Sequence, residues 1–296
     1  MRRGPLLSPA MVKATVTVTV TVTLMAIRKT QARAHILIRM RPCTVTVTPT
    51  TLPPGVIMTI DHTVSQPLNS RGLMRLMTWL GPSFPVGAYT YSHGVEFAIE
   101  DGRVGKRDSV ITWVEGVLAF GAGRIDGVLF CQAYHAACAG DLEDLIAIGI
   151  DADCRRGTAE MALEATAQGR AFVSTLGQVW DDALLANWAA SMRTDGRLPS
   201  YPVAVAIAAA GADIDLRSAL TAFFHAMVAN LVSSAVRLVP LGQTDGIRAI
   251  AALENAVELA VKQAMETDPD DIGACAPLID WTSMKHETQY TRLFRS

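Results

Sequence analysis

From Arg71 onward the apolar residues recur every three or four positions. Leu73, Leu76, Met77 and Leu80 share one helical face, and Gly81 with Pro82 ends that helix. Residues 81–94 (GPSFPVGAYTYSHG) are dense in glycine, proline and aromatics, which predicts a structured loop leading into a short helix through Glu100. Asp108 is a good N-cap for a helix carrying Val110, Trp113, Val114, Val117 and Leu118. After Gly121 and Gly123, residues 125–139 predict another helix, and Asp141 begins a shorter one. Residues 158–180 set Met161, Leu163, Phe172, Val173 and Leu176 in an Ala-rich background, and 183–192 form a further short helix. Two stripes follow. Leu220, Phe224, Met227, Leu231 and Leu238 form the first, capped by Asp215. Beyond Pro240 and Gly242, Ile247, Ile250, Leu253, Val257, Val261 and Met265 form the second, with Thr244 or Asp245 near its start. No alternating strand pattern follows Met58. Residues 58–296 therefore read as all-α, a single globular bundle of about eight to ten helices.

Residues 1–57 read differently. They alternate Thr and Val at 15–23 and 44–48, which suits a strand by propensity but leaves both faces alike and the register unspecified. They hold eight basic residues and no acidic one, since the first acid is Asp61. The formal net charge of -2 thus averages two unlike parts: the remainder has 18 basic against 28 acidic residues, a net of -10. An acidic body argues against a surface that tracks nucleic-acid phosphates. For the basic, low-complexity leader three readings stand: a targeting segment, a disordered extension, or an early start codon ahead of a natural start at Met25 or Met58. The abrupt change of composition favours the third, and no functional residue is assigned there.

The best apolar stretch, 203–212, is about half the ~20 residues a membrane-spanning helix needs, so no span is expected. The five cysteines (Cys43, Cys131, Cys138, Cys154, Cys275) are odd in number and form no CxxC pair, which fits a reduced, cytoplasmic compartment.

Signatures of catalysis are mostly missing. There is no GxxxxGK[ST] phosphate loop, no GxSxG and no HExxH. Cys131, His135 and Cys138 fall on one helical face at i, i+4 and i+7, and their atoms suit a soft transition metal. The plain alternative is core packing, because three ligands on one helix do not readily close a tetrahedron. His93 beside Ser92 and Glu96 invites a nucleophile–base reading. Neighbours on a helix point about 100° apart, which favours a capping or interface role instead. Residues 277–296 (PLIDWTSMKHETQYTRLFRS) mix Trp281, Tyr290 and Phe294 with Lys285, His286, Arg292 and Arg295. Such a tail either docks on a partner or folds back on its own body.

Three blocks carry a resemblance. SFPVGAYTYSHGVE (83–96), NLVSSAVRLVPLGQTDG (230–246) and SMKHETQYTRLFRS (283–296) are similar to the signatures of the UreF family of urease accessory proteins, in the same order. The resemblance runs from about Arg71 to Ser296. It implies a dimeric all-helical scaffold with no active site and no stably bound cofactor. Such a scaffold bridges the accessory protein UreD (also called UreH) and the GTPase UreG, influences the GTPase cycle, and serves nickel insertion into apo-urease. It also implies partner-binding roles for Tyr91, Ser92, His93 and Glu96 in the early loop, and for Gln243 and Asp245. In the tail, which the resemblance implies is ordered on binding UreD, it implies them for His286, Glu287, Tyr290, Arg292 and Arg295. Two departures stand out. Ala88-Tyr89 replaces the family's Gly-Phe, and Ser200 stands where many members have His before Tyr201-Pro202-Val203. A directly nickel-binding metallochaperone, through Cys131, His135 and Cys138, and a helical enzyme using Ser92, His93 and Glu96 are the alternatives.

Overall fold

A helix with no polar face has one stable place, the middle of other helices. Residues 201–211 form such a helix, and the rest of the fold is arranged round it. The computed structural model describes residues 69–296, and the expectations for the leader lie outside them. The described residues hold twelve α-helices: α1 (Ser70–Trp79), α2 (Val95–Glu100), α3 (Arg107–Phe120), α4 (Ala122–Ala139), α5 (Leu142–Cys154), α6 (Ala159–Val179), α7 (Ala183–Thr194), α8 (Tyr201–Gly211), α9 (Leu216–Leu238), α10 (Gln243–Ala252), α11 (Glu254–Glu266) and α12 (Pro277–His286). Single turns of 3-10 helix occur at Ala88–Thr90 and Pro269–Asp271. The all-α class expected from the sequence is the class observed.

The helix starts follow capping chemistry. Asn69, Asp141, Thr158, Asp182 and Asp215 each accept a hydrogen bond from the backbone N–H two or three residues into the following helix. Asp108 does not act as the expected cap. It lies inside the first turn of α3, and the Ser109 hydroxyl accepts from the Lys106 N–H (3.2 Å) instead. The second late stripe is two helices rather than one, because α10 ends at Ala252 and α11 starts at Glu254. Ile247 consequently faces outward, whereas Leu253, Val257 and Val261 are buried.

α8 packs chiefly on α4 and α6, and every residue from Pro202 to Ala209 is buried. Its alanines let neighbouring backbones come close. Closest of all is Gly169 of α6, which lies against the Pro199 carbonyl. A string of rings joins these layers: Trp79 to Phe172 (6.2 Å), Phe172 to Tyr201 (5.7 Å), Tyr201 to Phe223 (5.8 Å) and Phe223 to Phe130 (5.4 Å). A buried ion pair, Arg156 to Asp126 at 2.6 Å, ties the loop before α6 to α4. Arg156 also donates to the Ser200 hydroxyl (3.1 Å), so the serine that departs from the family pattern is a buried partner of this arginine.

The most membrane-like segment is α9, not the 203–212 stretch. α9 is long and apolar enough to cross a bilayer by length and composition. It packs on α2, α3, α4, α8, α10 and α11, and half of its apolar window is buried among them, as befits a core helix. α1 also departs from expectation. Leu76 and Trp79 enter the core, while Leu73, Met74 and Met77 are exposed, Leu73 and Met77 along one side of a cavity of about 1100 Å³.

A methyl group at position 169 would fall 2.1 Å from the Pro199 carbonyl oxygen, and that backbone cannot yield cheaply. Gly169→Ala is expected to cost about 3 kcal/mol in urea unfolding with an unchanged slope. Gly177, on the same helix but in open space, supplies the control. There the same change should stabilise by up to about 1 kcal/mol.

Candidate functional site

The loop of residues 81–94 ends in two successive left-handed residues, His93 (φ 56°) and Gly94 (φ 77°). That turn starts α2 and lets α12 press on it. A side chain at position 94 would meet the Ser283 nitrogen at 2.9 Å, so glycine is required on both counts. The loop is fixed from the other side by α9. Asn230 and Ser234 both donate to the Tyr91 carbonyl (3.3 and 3.2 Å), and Arg237 donates to the Tyr89 carbonyl (2.8 Å).

Residues 287–296 then fold back across this platform. His286, at the end of α12, is wholly buried. Its Nε2 lies 2.9 Å from Glu96 Oε2 on α2, and its Nδ1 lies 2.8 Å from Glu160 Oε2 on α6. Where both carboxylates are ionised they can only accept, and both ring nitrogens donate only in the imidazolium form. Burial disfavours that charge, but hydrogen bonds and charge from Glu160 and Glu96 outweigh it and raise the His286 pKa above its ordinary value. Glu96 also accepts the Leu293 N–H (2.7 Å) and the Phe294 N–H (2.9 Å), and Arg292 donates to Glu160 (3.1 Å). Farther along, the Arg295 N–H donates to the Thr90 carbonyl (2.7 Å). The Ser92 N–H donates to the Ser296 main-chain oxygen (2.6 Å), as does the Ser92 hydroxyl. Phe294 is buried beneath the Arg237 guanidinium, 4.3 Å from its ring centre.

Tyr91, Ser92, Glu96 and His286, read from the sequence as partner-facing, are thus buried under or within the chain's own tail. The tail folds back, and its polar atoms are used inside. Tyr290 is fully exposed and Leu293 largely so, while the side chains of Glu287, Arg292 and Arg295 also reach the surface. Gln243 and Asp245 are not brought to the tail. Gln243 is exposed at the start of α10, and Asp245 pairs with Arg248 (3.0 Å) and Arg107 (3.8 Å). The residues missed from sequence are Glu160, Glu164, Asn230, Ser234 and Arg237. Asn230, Ser234 and Arg237 stood inside a recognised block. Glu160 lies 126 positions from its histidine, and nothing local distinguishes it from a solvated first-turn acid.

Ser92 and His93 do not form a nucleophile–base pair. The Ser92 hydroxyl is committed to Ser296, and His93 turns its Nδ1 to Glu164 (3.2 Å). Burial lowers the His93 pKa, but the charge and hydrogen bond of Glu164 more than offset this and leave it raised. Its Nε2 is buried without a partner at the wall of the cavity beside α1. The cysteine trio fails to converge as well. Cys131 is buried and its thiol is pushed up to about 12 by desolvation, whereas His135 and Cys138 are exposed where α4 leaves the core. Among the described residues, no group of three or more His, Cys, Asp or Glu side chains is placed to hold a metal ion.

The fold and this cluster define an all-helical protein that carries a self-docked tail. Comparison with known sequences narrows the class. The UreF family pattern matches residues 104–254, about half of the chain. The urease accessory protein UreF of Rhodopseudomonas palustris (strain BisA53) is 46% identical over 224 residues, covering 76% of this chain and 93% of that protein. The UreF of Granulibacter bethesdensis is 46% identical over 233 residues (78% and 98%), and that of Magnetococcus marinus 42% over 228 (76% and 97%). The chain belongs to the UreF family of urease accessory proteins, and the family ties it to urease maturation.

Glu96→Gln removes a buried charge on which three donors converge, a loss worth about 3–5 kcal/mol. Trypsin should then cut after Lys285 and Arg292 on the order of a hundredfold faster at neutral pH, with far-ultraviolet circular dichroism unchanged.

Proposed function

We propose that this chain is the scaffold of urease nickel insertion. It joins UreD (UreH) to the GTPase UreG on apo-urease and modulates the GTPase cycle, while the nickel is cargo handled by the whole complex. It acts in the cytoplasm as a homodimer, carries no catalytic residue and binds no cofactor stably. The observation that carries the reading is the convergence of the three family-like blocks on one clamped tail. The tail turns His286 and Ser296 inward and leaves Tyr290, Leu293 and Met284 at the surface, flanked by Lys285, Arg292 and Arg295. Aromatic, apolar and arginine side chains in that arrangement suit a protein interface. Tyr91, Ser92, His93 and Glu96 act on a partner through the tail they position. Gln243 and Asp245 belong to a separate exposed face that suits a second partner. The homodimer would cover Leu73, Met74 and Met77, which α1 leaves exposed.

A directly nickel-binding chaperone built on Cys131, His135 and Cys138 is the weaker reading, because the Cys131 thiolate is disfavoured in its apolar surroundings. A helical enzyme using Ser92, His93 and Glu96 is weaker too, because all three side chains are held by other partners.

Co-expression of urease and its accessory genes with and without this chain, measuring nickel in the purified urease, tests the proposal directly. Nickel loading should be lost without it, and equal loading would refute the role. Removing the residues after Pro277 is expected to abolish capture of UreD while leaving most helical content, and Tyr290→Ala should weaken capture at unchanged stability. A truncated chain that still binds UreD normally would sink the assignment of the tail.

A further inference from the structure

The tail clamp is closed by a group that titrates near neutrality. An arginine or lysine in its place would hold a constant charge; His286 does not. Every group facing it can be named. Glu96 of α2 meets Nε2, and Glu160 of α6 meets Nδ1. Arg292 of the tail lies across Glu160 at 3.1 Å. A second layer comprises Glu164 of α6 with His93 and Ser296, and Glu100 of α2 with Gln289. Asp280 and the exposed Lys285 lie on its own helix. No water reaches the ring.

A neutral imidazole has one N–H and one lone pair. After deprotonation one of the two carboxylates would face that lone pair; among the described residues Glu160 would keep Arg292 as a paired cation, whereas Glu96 would have none. The backbone donors of Leu293 and Phe294 would still serve Glu96, so the clamp would weaken rather than vanish.

We propose that closure of residues 287–296 is proton-linked through His286: the protonated ring holds the tail on α2 and α6, and loss of that proton loosens it. The direction follows from linkage. In a released tail His286 returns to its ordinary value near 6.5. In the closed tail burial lowers the value, but Glu160 and Glu96 more than restore it, and the net shift is upward. Closure is therefore strongest below about pH 6.5 and weakens as the pH rises from there through the closed-state value. If the tail is the partner-docking element, as proposed above, the fixed presentation of Tyr290 and Leu293 weakens as pH rises. The closure itself does not depend on that reading, and its test uses no partner.

The test is hydrogen exchange on the full chain between about pH 6 and 8.5, corrected for intrinsic exchange. The protection of the Leu293 and Phe294 amides is followed against the Ala206 and Ile207 amides of α8. The tail protection should fall above about pH 6.5, in total by about tenfold for each pH unit that separates the closed-state value from 6.5, while the α8 protection stays flat. A flat tail profile overturns the proposal. His286→Gln should give low protection with no pH slope, and a retained slope would overturn it. Arg292→Gln keeps the titrating ring and leaves Glu160 more available to it, so its loss region should extend to higher pH. An unmoved or lowered region would count against the assignment. His93→Asn tolerates the left-handed backbone and should keep the wild-type slope. Loss of the slope there would place the titration on His93 and overturn the role of His286.

Discussion

A carboxylate out of reach of water must find its hydrogen-bond donors in the protein, and Glu96 finds them almost entirely in the tail. The His286 ring and the backbone N–H groups of Leu293 and Phe294 all converge on it. Much else follows from satisfying that one group. α2 must begin where it does, so the chain turns through two left-handed residues at His93 and Gly94. α12 must lie directly on that turn, so position 94 has no room for a side chain. Glu160 must balance the other nitrogen of the ring, which fixes the start of α6 against the same place. The cluster holds charges of both signs in contact, the condition under which buried charges are tolerable.

The tail does not sort its side chains by polarity. His286, Ser296 and the Ser283 hydroxyl point inward, while Tyr290, Leu293 and Met284 point out. A peptide docked only for its own stability would bury its aromatic and leucine side chains first. Of the apolar side chains beyond His286, only Phe294 goes in, under the Arg237 guanidinium. Such an arrangement sacrifices apolar burial within the chain and keeps apolar surface for contact elsewhere.

Much of this was legible in the sequence and some was not, for definite reasons. Caps such as Thr158, Asp182 and Asp215 act within three residues, and local chemistry of that kind reads directly. The three family-like blocks were visible as strings of letters, but their meeting was not. The Tyr91 carbonyl bonds with residues about 140 positions away, and a backbone acceptor leaves no trace in the sequence. The stripe through Leu253 looked continuous because α10 and α11 keep apolar residues at similar spacing across their junction. Asp108 had the right chemistry for a cap, but the chain enters α3 two residues too early to use it. α8 was noticed only for its hydropathy, because a helix buried on all sides has no amphipathic signal.

The contacts that complete the tail cluster join residues about 190 to 204 positions apart in the chain. Loops of that length close slowly and late. As the chain leaves the ribosome, the helices of the body can pack while Glu96 still waits for its donors. For that interval the platform formed by α2, α6 and α9 is an open groove lined with unpaired carboxylates. Residues 287–296 are made after the body they close and fill that groove, so a chain interrupted before them would have a folded body with its polar centre bare.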